Sequence, residues 1–105
     1  MTLLNHEDVQ ARRAVEVEVL LPSLLRDSVQ GADVVTARGA TLRQALDDLL
    51  ARHPLLRIHL YDESGATRKH VLIHYNGLSI ALLETLDVPL SPGDELQIIN
   101  AVSGG

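Results

Sequence analysis

Valines and a leucine at Val15, Val17, Val19 and Leu21 alternate with Ala14, Glu16, Glu18 and Leu20. A period of two predicts a strand with one face buried. Pro22 ends it, because proline has no N–H to give to a ladder. Residues 23–31 form a connection with a helical turn at Leu24-Leu25. A short second strand is predicted over residues 33–37, around Val34 and Val35, hairpin-paired to the first. The period then changes. Leu42, Ala45, Leu46, Leu49 and Leu50 make one apolar helical stripe, with Arg43, Asp47, Asp48 and Arg52 turned away from it. Thr41 followed three residues later by Gln44 is a capping box, and Pro54 stops the helix by driving His53 out of the αR region.

Leu55, Leu56, Ile58 and Leu60 predict a second short helix or turn packed under the sheet. Residues 62–67, with Ser64-Gly65, read as a surface loop. Val71, Ile73 and Tyr75 alternate with His70, Leu72 and His74, so residues 69–76 predict a third strand, closed by an Asn76-Gly77 turn. Residues 78–90 are apolar without a clean period, with a short strand expected around Ile80 and a turn near Asp87-Val88-Pro89. Ser91-Pro92-Gly93-Asp94 is a tight turn, and residues 95–99 the last strand, with Leu96 and Ile98 on one side and Gln97 and Ile99 on the other. Strands, a crossing helix and a returning strand predict an α+β fold: a mixed sheet packed on one main helix. The last strand is expected beside the first in the sheet centre. Three parts follow: a leader over residues 1–13, a domain over 14–99, and an extended arm over 100–105.

Composition narrows the function. The chain has 105 residues, which suits one domain. The core must be aliphatic, since there is no Phe or Trp and only two Tyr. Base-stacking platforms are therefore absent, and a net charge of −5 is unsuited to phosphate backbones, so no nucleic-acid partner is expected. An acidic balance favours docking onto a basic protein surface. Without cysteine, the chain has no disulfide, thiolate metal site or cysteine nucleophile. No apolar run approaches a membrane span, and the leader lacks the apolar centre of a signal peptide, which places the protein in the cytoplasm.

The chain closes on Ser103-Gly104-Gly105. Glycine has no Cβ, so an extended Gly-Gly can enter a slot too narrow for other residues. Six extended residues span roughly 20 Å, enough to reach a neighbour's buried centre. The Val-Glu-Val-Glu-Val strand, the Gly-Ala-Thr-Leu-Arg helix start, Asn76-Gly77, Leu-Asp-Val-Pro-Leu, Ser-Pro-Gly-Asp-Glu-Leu-Gln-Ile-Ile and the Ala-Val-Ser-Gly-Gly end together resemble the ThiS/MoaD family of ubiquitin-like sulfur carriers. The likeness covers residues 14–105 and is most specific over 90–105. It implies a β-grasp fold, in agreement with the element order.

The resemblance further implies that the chain is a carrier and not an enzyme. An ATP-using, ubiquitin-activating-type adenylyltransferase would adenylate Gly105, and a sulfurtransferase would convert it to a thiocarboxylate. A sulfur-accepting synthase would then consume the sulfur, in molybdopterin, cysteine or a related biosynthesis. Gly104 would supply slim backbone beside the reactive group, and Ala101, Val102 and Ser103 would run in the partner's channel. ATP would be held by the partner, and the chain would bind no cofactor itself. Asn100-Ala101 stands where many molybdopterin-type members have a proline, so the tail is less stiff at its root. The stretch containing Leu78, Ile80 and Leu82 is more apolar than the family's hairpin, and is expected to be partly buried and partly a partner-docking patch. Two other readings remain: a β-grasp interaction module whose glycines are not used chemically, and a protein modifier attached to lysines through Gly105.

Other constellations carry less. His70 and His74 share a strand face, but zinc needs three or four convergent ligands, so no metal site is expected. Asp47-Asp48, Asp62-Glu63 and Asp94-Glu95 are adjacent pairs whose side chains diverge. No phosphate-loop glycine pattern or Gly-x-Ser-x-Gly elbow occurs, and nothing beside Ser103 would activate its hydroxyl.

Overall fold

A computed structural model describes residues 14–100 of the chain. Five strands form one mixed sheet: β1 (Val15–Leu20), β2 (Val34–Gly39), β3 (Val71–Tyr75), β4 (Leu78–Ser79) and β5 (Glu95–Asn100). Their order across the sheet is β2-β1-β5-β3-β4. β1 pairs antiparallel with β2 and parallel with β5, and β5 pairs antiparallel with β3. This is the α+β β-grasp arrangement, with the last strand at the centre.

Alternation decides which side is buried. Val17, Val19, Val35, Ala37, Ile73 and Leu96 turn to one face, where they meet the stripe Leu42, Ala45, Leu46 and Leu49 of helix α1 (Leu42–Arg52). The first four N–H groups of a helix lack intrahelical partners. Here the loop after β4 supplies two of them: the Leu42 and Arg43 amides donate to the carbonyls of Val88 and Leu86, both at 2.9 Å. The Gln44 amide donates to Thr41 Oγ1 at 3.2 Å, and the Ala45 amide to the Thr41 carbonyl at 3.0 Å. The Gln44 side chain accepts from the Ala40 amide rather than from Thr41, so the box closes one residue early. The aperiodic residues 83–90 thus serve as the cap of the helix.

Several elements depart from the pattern. The turn at Leu24-Leu25 is a full 3-10 helix, Ser23–Val29, because Leu25 and Val29 both reach the core. β2 extends to Gly39, two residues further than its valines indicate. Helix α2 (Leu56–Leu60) buries Leu56 and Leu60 at a spacing of four, but Leu55 and Ile58 are 60% and 62% exposed. A five-residue helix has only one inward face, so all four could not pack under the sheet. Ile80 heads a 3-10 helix, Ile80–Leu82, rather than lying in a strand. β3 is shorter than its alternation, since Lys69 and His70 form a turn closed by the Val71 amide on the Arg68 carbonyl.

Candidate functional site

The candidate site begins where the chain leaves β5. That strand has neighbours on both sides: Glu18, Val19 and Leu20 of β1 face Glu95, Leu96 and Gln97, while Val71 of β3 faces Asn100. Leu96 and Ile98 are 1% and 2% exposed. Asn100, the last strand residue, is therefore held by pairing and packing. The expected tail residues Ala101, Val102, Ser103, Gly104 and Gly105 lie outside the described residues, as does the leader over 1–13.

The opposite end of β5 is fixed by polar contacts. Pro92 and Gly93, the latter at φ 91°, turn the chain, with the Asp94 amide donating to the Ser91 carbonyl at 3.0 Å. The Asp94 carboxylate accepts from Tyr75 Oη at 2.7 Å, Asn76 Nδ2 at 3.0 Å and the Ser91 amide at 2.7 Å. Asn76 Oδ1 accepts from the Glu95 amide at 2.9 Å, and the Asn76 amide donates back to the Glu95 carbonyl. Asn76 and Gly77 both have positive φ, as a two-residue hairpin turn requires. The two turns noted in the sequence are thus bolted to each other.

Burial alone would raise the Asp94 carboxyl, but donation from Ser91, Asn76 and Tyr75 outweighs it and holds the group below the ordinary Asp range. Burial, followed by the hydrogen bond and charge of Asp94, pushes the Tyr75 phenol up to about 12. No pattern in the chain signals that Tyr75 and Asp94 meet, because 19 residues separate them.

Among the described residues, no helix covers the sheet face away from α1. Register places Val34, Leu20, Gln97 and His74 in one row across it, with Leu72 beside Ile99 nearer the tail. Val34 and Leu72 are 41% and 40% exposed, and Leu20 and Ile99 half-buried. Glu16, Glu18 and Glu95 are exposed on the same face. Apolar Leu20 and Leu72 at otherwise polar positions of their alternations were the available signal. Leu78 and Leu82 are exposed, whereas Ile80 packs partly against the core, so the patch expected at Leu78, Ile80 and Leu82 is divided. Among the described residues no group of three or more His, Asp or Glu converges as a metal site, and no helix is long and apolar enough to cross a membrane.

The sequence matches the ThiS family over residues 19–105, a span that includes the terminal glycines. The chain belongs to the ThiS family. As a ThiS-family protein it is a sulfur carrier and not a catalyst. It is 31% identical over 93 residues to the sulfur carrier protein CysO of Mycobacterium tuberculosis, covering 87% of this chain and all of the relative. It is 36% identical over 66 residues to small archaeal modifier protein 1 of Haloferax volcanii, covering 63% of this chain and 71% of the relative. The fold resembles the crystal structure of the Amycolatopsis orientalis BexX/CysO complex, with a TM-score of 0.71 and 30% identity, covering 85% of this chain and 99% of the matched one.

Proposed function

We propose that this ThiS-family chain carries sulfur as a thiocarboxylate on Gly105. A carboxylate is a poor acyl donor until one oxygen belongs to a good leaving group. An adenylyltransferase of the ubiquitin-activating type supplies it: a Gly105 oxygen attacks the α-phosphate of ATP, and pyrophosphate leaves. A sulfurtransferase then delivers sulfur to the acyl carbon, and AMP departs. The resulting thioacid hands sulfur to an accepting synthase. The cytoplasm, which supplies ATP, is the compartment this reading assigns to the work.

The observation that carries the reading is the position of β5. β5 is paired with β1 over residues 95–97 and with β3 as far as Asn100, one residue before Ala101, so the carrier offers a fixed root from which the final glycines would reach into a partner. Gly104 would pass the narrow part of the partner's channel, and Ala101, Val102 and Ser103 would run along it. The open sheet face, with Leu72 and Ile99 beside the root, and exposed Leu78 and Leu82 provide the apolar address.

Intact mass tests it. With ATP, an activating enzyme and a sulfur donor, the chain should gain one oxygen-to-sulfur exchange, and the product should take up one alkyl group from an alkylating agent and revert to the acid on hydrolysis. Deleting Gly105 should abolish the exchange while leaving thermal unfolding unchanged. Absence of the exchange from the full chain, despite trapping of its adenylate, rejects the carrier reading. A second reading, conjugation of Gly105 to lysines, is favoured by the likeness to small archaeal modifier protein 1 and would appear as an isopeptide adduct.

A further inference from the structure

The two outer edges of the sheet are treated differently. An edge strand leaves a row of N–H and C=O groups without partners, and proteins shield such rows with charged side chains. On β2 the shield is present. The Arg38 amide donates to Asp48 Oδ2 at 2.8 Å, and Arg52 pairs with that same oxygen at 2.9 Å while reaching Thr36 Oγ1 at 3.3 Å. On the other side, β4 is two residues long and covers only His74 and Tyr75 of β3. The chain then coils into the 3-10 helix Ile80–Leu82. Among the described residues, no strand lies along the outer edge of β3 over residues 71–73.

Strand alternation decides which groups that edge presents. The Asn76 amide donates to Glu95, so His74 and Leu72 turn their backbone groups toward β5 as well. Tyr75, Ile73 and Val71 turn theirs outward. Tyr75 pairs with Leu78, and the Val71 amide is taken by the Arg68 carbonyl at 3.0 Å. Among the described residues, no backbone hydrogen bond meets Ile73 on that side. Val71 and Ile73 form one wall of a cleft of about 570 Å³, and the partly buried Ile80, Leu83 and Leu86 supply its apolar lining. Charge is uneven around it. Arg43 is held by Asp87 at 2.8 Å, whereas Arg68 and Lys69 make no ion pair among the described residues, and Glu84 is the one acid on the rim. Within a chain of net charge −5, this end of the edge is locally basic.

We propose that the open edge of β3 is a strand-addition site for an extended, acidic segment of a partner protein. The segment lies antiparallel to β3 in the lane that β4 vacates, since antiparallel pairing lets one residue exchange both hydrogen bonds with Ile73. Every second side chain, apolar, rests on Ile80, Leu83 and Leu86. The C-terminal end of the segment brings carboxylates to Arg68 and Lys69, which precede Val71. The site is distinct from the open sheet face and involves no chemistry at Gly105, so it stands apart from the carrier reading.

The probe is the peptide acetyl-Thr-Val-Thr-Val-Glu-Glu-amide, titrated into the isotope-labelled full chain. The Ile73 amide resonance should shift and its hydrogen exchange should slow, while the Arg38 amide on the shielded edge stays unchanged. Methylating the backbone nitrogen of the first valine, which donates to the Ile73 carbonyl, should weaken binding roughly tenfold. Methylating that of the second threonine, which points away from β3, should change it little. Lys69→Glu, at an exposed position, should weaken binding roughly threefold, and a peptide ending in Lys-Lys should bind less tightly than the acidic one. No change at Ile73, equal binding of the two methylated peptides, or tighter binding of the basic peptide would each overturn the proposal. So would shifts centred on Leu20 and Ile99, which place the peptide on the open sheet face. Oxygen-to-sulfur exchange at Gly105 is measured separately and bears on the carrier reading alone.

Discussion

Asp94 shows how much one side chain can organise. Its carboxylate ties Tyr75, Asn76 and Ser91 into a single knot at the start of β5. Replacing it by alanine orphans three donors and should lower stability by about 1–3 kcal/mol, read as a fall in the denaturant midpoint. Tyr75→Phe keeps the ring but removes the hydroxyl, and should cost about 1 kcal/mol by the same measurement. The pH dependence follows from the two shifts. The Asp94 carboxyl is depressed in the folded state, so its contribution is present above the ordinary carboxylate range and is lost as pH falls through the folded value. The Tyr75 phenol is raised, so its contribution is complete below the ordinary phenol range and disappears as pH rises through about 12. Unfolding midpoints across pH should show both edges in the native chain. The alkaline edge should weaken in Tyr75→Phe.

Among the elements, the junction between β2 and α1 is the least tolerant. A Cβ added at Gly39 would stand 2.6 Å from the Ala45 amide nitrogen and 2.8 Å from Gln44 Cβ. Both belong to the first turn of the helix, so the backbone must move. Gly39→Ala should destabilise by about 1–3 kcal/mol, and Thr41→Ala by about 1 kcal/mol through loss of the cap; equilibrium denaturation reads both. Asp48 joins the same two elements, accepting from the Arg38 amide at 2.8 Å on an outer strand and pairing with Arg52 at 2.9 Å. Much of this layer was legible. Alternating valines located β1, the leucine stripe located α1, and Thr41 with Gln44 located its start. The less legible parts depend on distant partners. Residues 83–90 show no period because their carbonyls serve the helix end, and Leu55 and Ile58 look like core residues to any rule that counts apolarity alone. The site was legible as a resemblance at the terminal glycines, but the pairing of Val71 with Asn100 at the end of β5 emerges only from strand register.

For the whole molecule, charge and apolar surface occupy the same open face. Glu16, Glu18 and Glu95 accompany Leu20, Leu72 and Ile99 there, within a chain of net charge −5. A basic-rimmed partner surface would be approached faster at low salt, and association rates measured with the activating enzyme should fall as ionic strength rises. Leu72→Glu should weaken that association at least tenfold while moving the unfolding midpoint little, because Leu72 is 40% exposed. Surface binding and thermal scans on the same preparation distinguish lost docking from lost folding.

The parallel pairing of β1 with β5 also has a mechanical meaning. Residues 1–13 precede β1 and residues 101–105 follow β5, so stretching the protein by its two ends pulls these neighbouring strands in opposite directions along their length. Their hydrogen bonds are then loaded together in shear rather than unzipped singly. A machine that drags the carrier by its last residues meets its stiffest resistance at the first step.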